Sequence, residues 1–110
     1  MKLPQGDKAI VPEEKLLDYI LSETHYTGKF KAKFFRSLGF KEVNVTLLEK
    51  ALRKIAKSVQ ITSLSVSPYG TKYILDGKII SPTKQEVKIR SIWIIEKGQT
   101  KPRFITMYPV

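Results

Sequence analysis

The chain is 110 residues long and 42% hydrophobic, which fits one domain with a core and excludes wholesale disorder. It contains no cysteine, which excludes disulfides and thiolate chemistry, and no apolar run approaches the length of a membrane span. Twenty Lys and Arg residues against ten Asp and Glu give a net charge of +10, an excess typical of nucleic-acid-binding domains. A basic surface without a dedicated partner is the alternative explanation of this charge.

The N-terminal quarter predicts a tail, a helix and a loop. Residues 1–8 show no periodicity and are expected to form a flexible tail on a single domain that spans residues 1–110. The segment PEEKLLDYIL predicts the first helix, because proline suits the first helical position and glutamates suit the positive end of the helix dipole. The segment SETHYTG breaks the helical pattern and predicts a loop.

Two further helices follow. In KFKAKFFRSLG, Phe30, Phe34 and Leu38 recur at four-residue spacing and are expected to face the core, and Gly39 is expected to end the helix. The segment TLLEKALRKIAKSV predicts a third, longer helix that opens with a capping box. Its core side is predicted to consist of Leu48, Leu52, Ile55 and Val59, with Lys50, Arg53, Lys54 and Lys57 largely on the outer side.

After position 59 the hydrophobic period changes from nearly four to two, which predicts strands. The strand-like segments are QITSLSVS, TKYILD with a possible extension in GKIIS, EVKIRSIWIIE and RFITMYP, separated by short turns. Short connections between neighbouring strands favour an antiparallel meander. The predicted fold class is therefore α+β, with three N-terminal helices packed on a sheet of about four antiparallel strands.

The residues that could act on RNA come from both halves of the chain. RNA carries its own nucleophile, the 2′-hydroxyl, so cleavage needs only proton-transfer groups and fixed cations, with no metal or cofactor. His25, the only histidine, is the natural proton-transfer group, with a polar loop residue as the alternative. Lys31 and Arg90 are candidates for stabilising the transition state, although a mid-strand arginine also pairs commonly with Asp or Glu. Thr106 offers a hydroxyl that could position the phosphate, or reflects ordinary β-propensity.

A second group of residues is predicted to bind RNA without taking part in the chemistry. Gly28 would let a phosphate approach backbone N–H groups at the start of the second helix, or simply allow a turn. Lys29 and Lys33 would contact phosphates, or belong to a solvated helix face. Tyr69 would stack on a base and Lys72 would hold a neighbouring nucleotide, with a surface-packed turn aromatic as the alternative for the tyrosine.

Four short motifs resemble a bacterial domain family of uncharacterised function. They fall on His25, Gly28, Lys31, Ala32 and Phe35, then on the segment YGTKY, then on Arg90, Ser91 and Trp93, and finally on Thr106. Members of that family occur as small stand-alone proteins, notably in cyanobacteria, and as C-terminal toxic domains of polymorphic and contact-dependent toxins. The resemblance covers about residues 7 to 109. Where the family often has proline after the histidine, this chain has Tyr26.

The toxin members in turn resemble the ribonuclease superfamily of barnase, EndoU, colicin-type tRNases and RelE. This resemblance implies a metal-independent ribonuclease that acts in the cytoplasm, after delivery where it is part of a larger toxin, with tRNA as its substrate. It adds Trp93 to the predicted RNA-binding residues. It also implies an acidic immunity or antitoxin protein as a partner, which would complement the +10 charge.

Two other functions remain open from the sequence. The same cations would serve a non-catalytic RNA- or ribosome-binding module, in which His25 and Thr106 would be dispensable. The chain could instead be the protein-interaction half of a toxin–antitoxin pair, although its positive charge disfavours the antitoxin role.

Overall fold

The computed structural model describes residues 1–17, 21 and 29–110, and of residues 29–31 it describes the backbone alone. The helices are α1 (Glu13–Lys15), α2 (Lys29–Ser37) and α3 (Val45–Ser58), and short 3-10 turns cover Gly6–Lys8 and Glu42–Asn44. The strands are β1 (Ser63–Ser67), β2 (Gly70–Ile80), β3 (Glu86–Glu96) and β4 (Arg103–Pro109). The predicted α+β order, helices first and four strands after them, is confirmed. The predicted loop SETHYTG and residues 18–20 of the first predicted helix lie outside the described residues.

The four strands form one antiparallel meander in the order β1-β2-β3-β4. Helix α3 packs on β2, so the helices cover one face of the sheet. The side chains that point to this covered face are the buried members of each strand, such as Leu75, Ile89, Trp93 and Phe104. A register shift between Ile92 and Trp93 places a bulge where β3 pairs with β4.

Trp93 lies at the centre of the core. Its ring is fully buried and meets Phe104 edge-on at a centroid distance of 5.4 Å. Its indole Nε1–H donates to Ser91 Oγ at 2.9 Å, and that hydroxyl donates to the Leu75 carbonyl at 3.1 Å. The one polar group of the tryptophan is therefore satisfied inside the core, which is what allows so large a ring to be fully buried.

The helical predictions hold for α3 and shift by one residue for α2. Leu48, Leu52 and Ile55 are buried as predicted, and Val59, which follows the helix, is half-buried against the core. In α2, however, Phe35 is fully buried whereas Phe34 is only half-buried. The reason is that Ala32, Phe35 and Leu38 form the buried stripe at three-residue spacing, instead of the four-residue series that runs through Phe34.

The predicted capping box of α3 is not formed. The helix begins at Val45 after Asn44, whose side chain accepts from the Lys41 N–H at 2.7 Å and donates to the Gly39 carbonyl at 2.9 Å. Asn44 therefore stabilises the connection between α2 and α3 through its side chain and directly precedes α3. Gly39 follows α2 with a φ of 96°, as expected of a residue that ends a helix.

Residues 1–8, expected as a flexible tail, are instead packed against α3 and the start of the sheet. Leu3 is buried in the core, and the Met1 carbonyl accepts from the Ile61 N–H at 2.7 Å. Gly6 makes this possible, because a Cβ there would lie 2.0 Å from the carbonyl oxygen of Ala56 in α3. The sequence analysis missed this packing because the segment has no periodicity. The available signal was the glycine, which allows two backbones to approach closely.

Gly77 also has a packing role that the sequence did not reveal. The sequence left the segment that begins at this glycine as a possible extension of the second strand, and β2 does continue through it to Ile80. Gly77 faces α3, and a Cβ there would lie 3.0 Å from Ile55 Cγ1. The absence of a side chain therefore lets α3 approach β2.

Candidate nucleic-acid interfaces

The side of the sheet that points away from the helices is called the open face here. It comprises the strand residues that alternate with the buried ones: Lys72, Ile74, Asp76, Lys78, Lys88, Arg90, Ile92, Ile94, Arg103, Thr106 and Tyr108. No described helix covers this face, and all of these side chains are exposed or half-buried. It is therefore a surface on which a ligand could lie flat across three strands.

Arg90 occupies the middle of the open face and is held by its neighbours on both sides. It lies opposite Asp76 on β2 and opposite Tyr108 on β4. Arg90 Nε and Nη2 donate to the two carboxylate oxygens of Asp76 at 2.7 and 2.9 Å, and the guanidinium also hydrogen-bonds the Tyr108 side chain. Pairing with a carboxylate, one of the two partners expected for a mid-strand arginine, is what the structure shows. The guanidinium is thereby fixed in one orientation.

The electrostatics of this row keep both charges in place. The hydrogen bonds from Arg90 hold the pKa of the Asp76 carboxyl below its ordinary value, against the opposing effect of its partial burial. The hydrogen bonds to Asp76 and Tyr108 raise the pKa of Arg90 further above its already high value. Asp76 therefore stays ionised and Arg90 stays cationic across the physiological range, so the pair presents a dipole instead of a bare positive charge.

Thr106 and Lys72 lie on the same face as Arg90. Along β3, their partners are two and four residues from Arg90. Thr106 is opposite Ile92, and Lys72 is opposite Ile94, which itself faces Arg103. Lys72 is exposed and has no carboxylate partner among the described residues. The structure thus brings three predicted site residues, Lys72, Arg90 and Thr106, onto one surface.

The charge of the open face is mixed. Lys78 lies 3.7 Å from Glu86, and Arg103 pairs with Glu96. Lys88, like Lys72, has no carboxylate partner in the part of the chain that is described. Where the face meets the β3–β4 loop, a cleft of about 480 Å³ opens between Ile94, Arg103 and loop residues 99–101. A half-apolar cleft beside cations is suited to a nucleobase more than to a phosphate.

Burial excludes one of the predicted RNA contacts, that of Trp93, and leaves another, that of Tyr69, as a prediction. Trp93 cannot contact RNA as predicted, because its side chain is fully buried on the covered face. The correction has a simple physical reason, since the alternation of β3 that exposes Arg90 turns Trp93 inward. Tyr69 is 80% exposed in the β1–β2 turn, so its ring is accessible and the predicted base stacking stays a prediction.

The remaining predicted site residues belong to α2 and the segment before it. His25 and Gly28, and the side chains of Lys29 and Lys31, lie outside the described residues. Lys33 is exposed on α2, a helix that contributes Ala32 and Phe35 to the core on the covered side of the sheet. Its predicted phosphate contact stays a prediction, and no described contact places it on the open face.

A second basic surface lies on the outer side of α3, and it differs from the open face in having unpaired cations. Lys50, Lys54 and Lys57 are exposed at helical spacing, and none has a carboxylate partner among the described residues. Arg53 beside them is tied to Glu49 at 3.0 Å and to the Ala9 carbonyl at 2.6 Å. Because the inner side of α3 packs on the sheet, this α3 stripe (Lys50, Lys54 and Lys57) faces away from the open face.

Asp76 and Tyr108 are the site residues that the sequence analysis missed. The position of Asp76 could have been found from the register of the β2–β3 hairpin. The turn after Ile80 pairs Ile80 with Glu86, and four residues further from the turn the same register pairs Asp76 with Arg90. Tyr108 shares a face with Thr106 through the period-two alternation of β4. Within the described ranges 1–17, 21 and 29–110, no cluster of His, Asp or Glu could hold a metal ion, and no helix could cross a membrane.

Comparisons with known proteins give a family and a fold. A chain from a solved structure titled "Contact-dependent growth inhibition toxin - immunity protein complex", from Klebsiella pneumoniae 342, is similar with a TM-score of 0.76 and 21% identity. The similarity covers 96% of this chain and 97% of that one, so the two share the fold over their whole length. No curated protein matches this chain. Residues 2–110 match the domain of unknown function DUF6883, and the chain belongs to this family.

Proposed function

We propose that this protein is a metal-independent endoribonuclease of the toxin type that acts on tRNA on the open face of its sheet. The observation that carries the proposal is the row Asp76–Arg90–Tyr108, which fixes a guanidinium in the middle of a broad surface beside Thr106. A preorganised cation of this kind is what a reaction that builds negative charge on a phosphate requires. The +10 charge of the chain supplies the attraction for the polyanion.

The reaction is an internal transfer. The 2′-oxygen of the substrate attacks the adjacent phosphorus, the bond to the 5′-oxygen of the next nucleotide breaks, and the proton lost by the 2′-hydroxyl is balanced by the proton gained by the leaving oxygen. The products are a 2′,3′-cyclic phosphate and a 5′-hydroxyl, so neither water nor a metal enters this step. His25 transfers one of these protons. Arg90 and Lys31 stabilise the phosphorane-like transition state.

Positioning of the substrate falls to the rest of the open face and its surroundings. Thr106 donates its hydroxyl to the scissile phosphate, and Lys72 binds a neighbouring phosphate. Tyr69, exposed in the β1–β2 turn, stacks on a flanking base. Gly28 and Lys29 at the start of α2, and Lys33 further along that helix, guide the part of the RNA that extends past the open face. For the phosphate to reach Arg90, it replaces Asp76 as the partner of at least one guanidinium nitrogen, so Asp76 tunes how strongly the site binds an anion.

The toxin assignment is supported by the similarity to a chain of a toxin–immunity complex, combined with the sign of the charge. A basic nuclease needs an acidic inhibitor, and a net charge of +10 therefore favours the toxin half over the immunity half. An acidic protein that covers the open face and satisfies Lys72 and Lys88 is the partner that follows from this assignment. The site of action is the cytoplasm, where tRNA is found.

The test is incubation of the purified protein with total tRNA in EDTA, read on a denaturing gel. The wild type is expected to give discrete fragments with cyclic phosphate ends, and a His25→Ala, Lys31→Ala double variant is expected to leave tRNA intact. Lys8→Ala serves as the control for loss of a positive charge elsewhere. Undiminished cleavage by the double variant would remove these residues from the site, and intact tRNA with every protein would remove the ribonuclease function.

A second candidate function is favoured by the α3 stripe. Its three unpaired lysines can bind RNA or a ribosome without any chemistry, since exposed cations release counterions from a nucleic acid wherever they lie. In that case tRNA shifts in a native gel, the shift weakens steeply with salt, and no fragments form. Binding then depends on Lys50 and Lys54 and is indifferent to His25 and Arg90.

A further inference from the structure

The two edges of the sheet are treated differently. Beside β4, the N-terminal segment adds a parallel bridge at Ile10, whose N–H donates to the Pro102 carbonyl at 2.8 Å and whose carbonyl accepts from Phe104 at 2.9 Å. Arg103, the bulge and Pro109 also interrupt this edge. These are the ordinary devices by which proteins block edge-to-edge pairing. The β4 edge is therefore closed to a further strand over much of its length.

Within Ser63–Ser67 the β1 edge has none of these devices, and the N-terminal residues pair only with the chain just before it, through the Lys2–Gln60 bridge and the hydrogen bond from the Ile61 N–H to the Met1 carbonyl. Its sequence SLSVS contains no charge and no proline, and no described residue pairs with its outer side. From Val59 to Leu75 the only charged residue is Lys72, in a chain whose charged fraction is 27%. Leu64 and Val66 are 47% and 75% exposed, because the helices cover β2 but do not extend over β1. Such an edge is available to another strand.

The backbone direction of β1 can be read from its pairing with β2. The Ile74 carbonyl accepts from the Thr62 N–H at 2.8 Å, so residue 74 directs its polar groups toward β1 and its partner Ser63 belongs to a hydrogen-bonded pair. In an antiparallel ladder such pairs alternate with non-bonded ones. The N–H and C=O groups of Leu64 and Val66 therefore point outward, to the free edge.

We propose that the free edge of β1 binds β1 of a second copy of this chain. The sequence SLSVS is self-complementary in an antiparallel pairing centred on Ser65. Leu64 then lies opposite the second copy's Val66 and exchanges both backbone hydrogen bonds with it, and the symmetric pair does the same. Both exposed apolar side chains on each copy are thereby paired across one two-fold axis, as a closed dimer requires.

Charge does not oppose this pairing locally. Between Val59 and Leu75 the only cations are the two copies of Lys72, separated by three strand spacings, or about 14 Å, which exceeds the screening length of about 8 Å at physiological salt. Lys2 and the α-ammonium group of Met1, which pair with Gln60 just ahead of β1, are the other positive groups at this edge, and salt screens them as well. A strand from an acidic protein is the competing occupant, but the patch offers it only Lys72 as a charged partner. A two-fold axis perpendicular to the sheet makes one eight-stranded sheet, with both open faces on the same side. The contact is small, so the dimer is weak.

The experiment is sedimentation velocity of the RNA-free full chain, from about 10 µM to about 1 mM, in 0.05 and 0.5 M NaCl. We expect a monomer–dimer equilibrium that strengthens with salt, because salt screens the repulsion between two copies of charge +10. Val66→Lys should abolish dimerisation. Val43→Lys, at a site that is 89% exposed and away from this edge, should leave it intact.

Amide hydrogen exchange locates the interface independently. On dimerisation, the amides of Leu64 and Val66 should become at least tenfold more protected, whereas the amide of Ser65, already bonded to β2, should not change. A chain that stays monomeric at about 1 mM in 0.5 M NaCl overturns the proposal, as does a dimer that survives Val66→Lys. Neither outcome bears on the ribonuclease proposal, which is read from tRNA fragments.

Discussion

The open face and the α3 stripe are both basic, but they differ in how their cations are held. On the open face Arg90 is fixed by Asp76 and Tyr108, and further cations pair with Glu86 and Glu96. On α3 the lysines at 50, 54 and 57 extend into solvent without partners among the described residues. Unpaired, mobile cations give long-range attraction to RNA, whereas a fixed cation in a row of polar groups gives geometry. In the proposed function, the α3 stripe would therefore attract RNA and the open face would act on it.

The largest expected effect is that of removing the fixed cation. Arg90→Ala should lower tRNA cleavage by about 10²–10³-fold, as does the loss of one preorganised donor to a developing anion elsewhere. Arg103→Ala, which removes a paired arginine from the same face, should change the rate by less than tenfold. Fragment formation on denaturing gels measures both. Equal rates for the two variants would contradict the special position of Arg90.

A substitution of Trp93 tests the stability of the core separately from RNA binding on the open face. Trp93→Ala should lower the free energy of unfolding by about 3–5 kcal/mol, because it empties the centre of the core. Tyr69→Ala, at a ring that is 80% exposed, should change stability by less than about 0.5 kcal/mol and weaken RNA binding instead. Urea denaturation and RNA titration measure the two quantities. A Trp93→Ala protein of normal stability with impaired RNA binding would reinstate the contact that burial excludes.

Matched double lysine substitutions compare the roles of the open face and the α3 stripe. The double variant Lys72→Gln, Lys88→Gln should make the slope of log K against log [salt] shallower by about 1.4, because two phosphate contacts are lost. It should also lower kcat. Lys50→Gln with Lys54→Gln should raise KM by up to about tenfold through slower association and leave kcat unchanged. Single-turnover kinetics at several salt concentrations distinguish them. A fall in kcat confined to the α3 variant would reverse the assignment.

The smallest expected effect concerns Asp76, which in the proposed function competes with RNA for Arg90. Asp76→Asn should tighten the binding of a non-cleavable RNA by about fivefold, since one negative charge beside the phosphate is removed. It should also alter the dependence of stability on pH. The pKa of Asp76 is lowered in the folded protein, so its contribution is present above about pH 3.9 and lost as the pH falls through the folded pKa. The wild type should therefore lose more stability than Asp76→Asn between pH 5 and pH 2.

The sheet was more predictable from the sequence than the helices were, for a physical reason. A period of two has only two phases, so the alternation in EVKIRSIWIIE sufficed to place Ile89 and Trp93 on one face and Arg90 on the other. A helix offers more phases, and the choice between Phe34 and Phe35 depended on how α2 meets the core. The fold class and the placement of Arg90 on the face opposite Trp93 followed from local patterns.

The features that local patterns could not give are those that depend on a distant partner. Gly6 was placed in a flexible tail and Gly77 in a segment of uncertain strand character, because only the approach of α3 reveals why no side chain is allowed at either position. The burial of Trp93 overrode its motif, since the hydroxyl of Ser91 satisfies its indole N–H within the core. The pair Arg90–Asp76 was open to two interpretations until the hairpin register was known.

The most direct test of the account is to map where RNA lies on the protein. Backbone amide chemical shifts should be followed by NMR while a 2′-O-methyl oligonucleotide, which cannot be cleaved, is titrated into the wild type. The account predicts that the largest shifts fall on β2, β3 and β4 around Lys72, Arg90 and Thr106. Shifts confined to α3 around Lys50, Lys54 and Lys57 would contradict it and assign the RNA to the helical surface.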